Sequence, residues 1–112
     1  MAHLTLRSVE ECIMAAYGQY VNNAAGDITC DTTDDGPINI QCVINGGRFN
    51  CGFAGNQMSY TQINNLRTWC ITHPGSGWSF GFRGTDPDHP DSINITLIDR
   101  THLMFNFHVY LY

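Results

Sequence analysis

The stretch from Ile38 to Phe53, INIQCVINGGRFNCGF, constrains this chain more than any other, because alternation, turn chemistry and cysteine placement agree within it. A two-residue loop at Gly46-Gly47 supplies the positive φ that primed hairpin turns need and sets Asn45 opposite Arg48. Counting outward pairs Ile44 with Phe49, Cys42 with Cys51 and Ile40 with Phe53 on one face. Gln41, Val43, Asn50 and Gly52 take the other. The spacing therefore predicts a core-facing hairpin with a cysteine on each strand.

Two helices are expected to flank it. Ser8-Val9-Glu10-Glu11 has the capping-box pattern, and Val9, Cys12, Ile13, Ala16, Tyr17 and Tyr20 follow at helical spacing to a stop near Asn22 or Asn23. Ahead of them, Leu4 and Leu6 alternate with Thr5 and Arg7 as in a short strand or extended arm. Ser59-Tyr60-Thr61-Gln62 repeats the capping logic for a second helix. Its stripe is Ile63, Leu66 and Cys70, with Trp69 and Ile71 adding apolar area, and Pro74-Gly75 closes it. The run from Gly26 to Pro37, GDITCDTTDDGP, reads as an acidic surface loop. Three more strands are expected: Trp78 to Arg83, Ile93 to Ile98, and Thr101 to Tyr112. In the last, Leu103, Phe105, Phe107, Val109 and Leu111 form an apolar face. Such a strand belongs near the middle of a sheet covered on one side. The expected architecture is a single α+β domain, residues 1–112. It is a two-layer sandwich of order αββαβββ, two helices packed on one face of an antiparallel sheet.

Cysteine usage bears on compartment. The five residues Cys12, Cys30, Cys42, Cys51 and Cys70 contain no C-x-x-C pair, which favours disulfides over zinc or redox chemistry. Cys12 and Cys70 lie on helical stripes, and Cys42 and Cys51 on the buried face of the hairpin. Helix-to-hairpin bridges, closing the longer loops, are expected, with the pairing open. Cys30 is the free or tethering thiol, and an odd cysteine allows either a monomer or a disulfide-linked dimer. Asn94-Ile95-Thr96 is a glycosylation sequon on the outward side of its strand, which adds to the case for secretion. No leader pattern opens the chain, and Met1-Ala2-His3 fits a start that replaces a removed one. No stretch reaches the roughly 18 to 20 apolar residues of a membrane span.

Charge excludes other classes. The net charge is −5 and the only basic residues besides histidine are five scattered arginines, so there is no basic surface to hold a phosphate backbone and no nucleic-acid partner is expected. Lysine is absent altogether, which would leave a protein acting inside a foreign cell without side-chain acceptors for ubiquitin. The aspartates at 27, 31, 34 and 35 lack calcium-loop spacing. His102 and His108 share a strand face but stand about 20 Å apart, too far to hold one zinc. No metal, cofactor or catalytic residue is expected. The site-like feature is the polar, aromatic face of the last strand, with Asn106, His108, Tyr110 and Tyr112.

The segment INIQCVINGGRFNCGFAGNQMSYTQINNLRTWCITHPGSG resembles the central part of small secreted fungal killer toxins and killer-toxin-like effectors. The shared pattern is a cysteine-bearing strand, a Gly-Gly turn, a second strand reading x-Cys-x-Phe, and a helix ending near a cysteine and a His/Pro/Gly turn. The resemblance implies two helices on one face of a disulfide-held antiparallel sheet and a non-enzymatic activity. Members inhibit competing fungi, some by blocking ion channels, or alter host defence. Cys42, Cys51 and Cys70 carry over as structural cysteines. The acidic, lysine-free composition departs from a channel-blocking role carried by basic residues. The expectation is a secreted effector or toxin-like protein that binds a protein or cell-surface target. The alternatives are an intracellular inhibitor of viral or phage origin and a small enzyme using His102 or His108.

Overall fold

The computed structural model describes residues 4–55, 58–72, 78–86, 90–97 and 103–111. Its elements run α1 (Leu6–Val21), β1 (Ile28–Thr32), β2 (Gly36–Asn45), β3 (Arg48–Gly55), α2 (Tyr60–Thr72), β4 (Trp78–Arg83), β5 (Ser92–Leu97) and β6 (Met104–Leu111). The six strands form one sheet in the order β1-β2-β3-β6-β5-β4. All neighbours are antiparallel except β3 and β6. The class is α+β as expected, with two corrections: the order is αβββαβββ, and the sheet is mixed. Helix α2 carries the chain back along the sheet after β3, so the β4-β5-β6 meander ends with β6 running the same way as β3.

The hairpin of β2 and β3 has the register its sequence dictates: Asn45 faces Arg48, Ile44 faces Phe49 and Cys42 faces Cys51. Gly46 and Gly47 sit at φ 58° and 76°, the doubly positive turn that matches strand twist. Ile40, Cys42, Phe49, Cys51 and Phe53 are buried, but Ile44 at the hairpin tip is 41% exposed.

The additional strand falls inside the expected acidic loop. Ile28–Thr32 pairs with Gly36–Ile40, the first half of β2, while Gln41–Asn45 pairs with β3. Ile28 and Cys30 pack against the core and Thr32 is buried, an inward alternation that the flanking aspartates obscure.

Helix α1 begins earlier than its sequence pattern suggests. Leu4 and Thr5 form no strand; Thr5 is the N-cap, its hydroxyl accepting from the Ser8 amide at 3.2 Å. Ser8 lies within the helix, wholly buried, and Glu11 accepts instead from the amide and hydroxyl of Thr33 in the β1-β2 turn. Asp35 from the same turn accepts from the Thr5 amide at 3.0 Å, so a carboxylate meets the positive end of the α1 dipole. The helix stops at Val21, with Asn23 at φ 52°. Helix α2 has the predicted capping box: the Gln62 amide donates to Ser59 Oγ and the Ser59 amide to Gln62 Oε1. Its expected Pro74-Gly75 stop lies outside the described residues.

Both helices cover one sheet face. Val9, Cys12, Ile13, Ala16 and Tyr20 of α1, and Ile63, Leu66 and Cys70 of α2, are buried together with Ile93, Ile95, Phe105, Phe107, Val109 and Leu111. Phe105 is a centre of this layer, its ring 5.1 Å from Tyr20, 5.5 Å from Trp78 and 6.0 Å from Tyr17. Burying each such ring contributes about 2–3 kcal/mol. None of the described helices is long and apolar enough to cross a membrane.

The cysteine arrangement differs from the expectation. No two of the five stand at disulfide-bond distance. Cys12 meets Cys30 on the new strand rather than a hairpin cysteine, Cys42 meets Cys51 across the hairpin, and Cys70 is buried on α2 near Glu10.

Candidate functional site: the open face of the sheet

With both helices on one side, strand parity decides what the other side presents. Residues 106, 108 and 110 of β6 point there, and the register sets Asn50, Gly52 and Ala54 of β3 beside them. On the opposite flank Thr96, Asn94 and Ser92 of β5 face the same three positions. The hairpin contributes Gln41 and Val43, opposite Gly52 and Asn50. Farther out, Thr29 of β1 faces Asn39 of β2 and donates its hydroxyl proton to Asn39 Oδ1 at 2.8 Å.

A groove of about 730 Å³ crosses this face over β1, β2, β3 and β6. Its polar groups are Asp27, Thr29, Asn39, Gln41, Asn50 and His108, and Tyr110 lies at its wall. The floor is low where β3 carries Gly52 and Ala54. At Gly52 a Cβ would stand 2.5 Å from the His108 carbonyl oxygen, so only glycine keeps the two parallel strands this close.

A ladder of side-chain hydrogen bonds spans the sheet beside the groove. Asn94 Nδ2 donates to Thr96 Oγ1 at 3.1 Å, Thr96 Oγ1 to Asn106 Oδ1 at 3.0 Å, and Asn106 Nδ2 to Asn50 Oδ1 at 3.1 Å. Asn106, expected on the binding face, is 8% exposed and has both ends of its side-chain amide engaged in the ladder. The sequon residue Asn94 faces outward but is half-buried in the middle of a strand paired on both sides.

His108 and Tyr110, two residues apart on the same face, have nearly parallel rings, 14° between planes and 6.3 Å between centroids. Burial lowers the His108 pKa from its ordinary value, and the Arg83 guanidinium lowers it further, so the imidazole is neutral near pH 7. Tyr110 is 46% exposed and offers a free aromatic surface. His102 and Tyr112, the other members of this face expected from alternation, lie outside the described residues.

Chemically the groove presents amides, a hydroxyl, one carboxylate and a neutral histidine beside an exposed phenol. The thiols point to the other side, into the helical layer. Among the described residues no group of three or more His, Cys, Asp or Glu side chains is gathered closely enough to hold a metal ion. The His108–Tyr110 pair was legible from alternation, whereas Asp27, Thr29 and Asn39 required knowledge of β1. Asn50 and Gln41 fall on the outer face of the hairpin by alternation alone. Only the β3–β6 pairing joins them to His108. Comparison with known protein families, curated proteins and solved structures finds no match to this chain.

Proposed function

We propose that this chain is a secreted, non-enzymatic binding protein that engages a protein or cell-surface target through the open face of its sheet. The observation that carries the reading is the groove itself. Its amide-rich lining, with the stacked His108–Tyr110 pair at the wall, lies on the one sheet face that neither helix covers. Polar groups that converge around an exposed aromatic suit recognition, the aromatic giving contact area at low entropic cost and the amides giving direction. The negative charge and absence of lysine favour a target that is neither nucleic acid nor an anionic surface. The sequence resemblance to killer-toxin-like effectors and the density of cysteines support the secreted assignment.

The test compares binding of fluorescently labelled protein to intact fungal and plant cells with that of two sets of variants. Gln41→Ala and Tyr110→Ala alter the groove; Met14→Ala and Val21→Ser alter exposed positions on α1. The reading requires the first pair to lose binding while the second keeps it. Binding that survives both groove substitutions, or that disappears with the α1 pair alone, contradicts it.

A further inference from the structure

All three buried cysteines of the hairpin and α1 have a second sulfur beside them, Cys12 with Cys30 and Cys42 with Cys51, and the two pairs differ in how solvent reaches them. Cys12 lies on the inner stripe of α1, fully buried, and its thiol is in hydrogen-bonding contact with that of Cys30. Cys30 belongs to the edge strand β1 and is half-exposed. Cys42 and Cys51 face each other across the hairpin, 2% and 3% exposed. In a two-residue hairpin the closing pair, here Asn45 and Arg48, exchanges both backbone hydrogen bonds, and the pairs then alternate. Cys42 and Cys51, three pairs further on, occupy a non-hydrogen-bonded position. There the Cα atoms approach to about 4.5 Å, inside the range a disulfide spans. Cys70 is buried against α1 near Glu10, with its thiol pushed up to about 12 by burial.

We infer that the native disulfides are Cys12–Cys30 and Cys42–Cys51, with Cys70 free, and that in the folded protein the Cys12–Cys30 pair alone is open to exchange with an external disulfide. The first bond ties the edge strand to α1, and the second locks the hairpin register. This connectivity does not depend on what the open face binds.

The exchange at the first pair starts at Cys30, since a fully buried sulfur is sterically closed to an incoming oxidant. The Cys30 thiolate attacks one sulfur of a small-molecule disulfide, breaking that S–S bond and expelling a thiolate that takes up a proton. Cys12 then gives up its proton and attacks the Cys30 sulfur, forming the Cys12–Cys30 bond and expelling the second thiolate, which is protonated in turn. Two protein thiols are oxidised and one external disulfide is reduced to two thiols. Burial raises both thiols above their ordinary pKa, while the hydrogen bond from Cys12 pulls that of Cys30 back down, consistent with Cys30 reacting first.

Peptide mapping by mass spectrometry tests both parts. Protein fully reduced in denaturant, refolded under reductant and then freed of it is treated, while folded, with oxidised glutathione, quenched, alkylated in denaturant and digested without reductant. The expected product is one linked peptide pair containing Cys12 and Cys30, with Cys42, Cys51 and Cys70 recovered as alkylated thiols. Refolding from denaturant in the same glutathione buffer adds the Cys42–Cys51 link. In a Cys30→Ser variant the native reaction gives neither a link nor a glutathione adduct on Cys12. A bond from Cys70 to any other cysteine, or from Cys12 to Cys42 or Cys51, overturns the connectivity. So does the absence of any bond after refolding, and a native reaction that links Cys42 to Cys51 first overturns the difference in access.

Discussion

Asn106 shows how burial can turn a surface-patterned polar residue into a structural one. Its side-chain oxygen accepts from Thr96 and its nitrogen donates to Asn50, so truncation leaves two partners unpaired on a half-buried face. Asn106→Ala is expected to cost about 1–3 kcal/mol, read as a lower urea midpoint, while Asn106→Asp keeps the Thr96 and Asn50 geometry only at the expense of a donor. His108 supplies a second expectation. Its folded pKa lies below the ordinary 6.5 because burial and then Arg83 disfavour the imidazolium. A depressed histidine leaves stability full above the unfolded value and loses it as pH falls from there toward the folded pKa. The NMR titration of the His108 ring should therefore have its midpoint below 6.5, and His108→Gln should flatten the stability profile as pH falls below that value. A midpoint at or above 6.5 would show that the ring is more hydrated than its packing implies.

Elements were legible wherever hydrophobic period and capping chemistry spoke together. Strand β6 is plain in the sequence because Phe105, Phe107, Val109 and Leu111 alternate without interruption, and all are buried. Helix α2 is plain because Ser59 and Gln62 cap each other. Strand β1 was hidden because edge strands need only half their residues buried, and Asp27, Asp31, Asp34 and Asp35 make its surroundings look like a turn. The start of α1 is not legible in the sequence because Ser8 and Glu11 satisfy a local capping pattern, whereas the real cap uses Thr5 together with Asp35, 30 residues away. That remote carboxylate predicts its own pH dependence. Hydrogen bonds from the Ser8 hydroxyl and then the Thr5 amide hold the Asp35 pKa below its ordinary 3.8. Its contribution is full above the unfolded value and is lost as pH falls through the folded one. Asp35→Asn should remove that acid-side loss, and Thr5→Ala should cost about 1 kcal/mol in chemical denaturation. At the β3–β6 seam, Gly52→Ala pushes a methyl against the His108 carbonyl. It should cost about 1–3 kcal/mol and speed amide exchange in both strands; an unchanged exchange pattern would mean the seam yields freely.

The molecule divides its labour between the two faces of one sheet. The helical face holds the aromatic core around Phe105, where Tyr17 and Tyr20 of α1 meet Phe49 and Trp78 of the sheet. The open face holds the ladder and the groove. This division follows from alternation, and the sequence shows it for the hairpin and β6 separately. The groove was not legible as a unit, because it is assembled from four strands and two of them, β3 and β6, are joined by a parallel pairing that no local pattern announces. In the proposed function, that groove is the working surface. NMR amide shifts recorded while a binding-competent fraction of target-cell surface extract is added to isotope-labelled protein test this directly. The account predicts perturbations concentrated at Thr29, Gln41, Asn50, His108 and Tyr110. A footprint confined to the outward faces of α1 and α2, with the sheet amides unmoved, would contradict it.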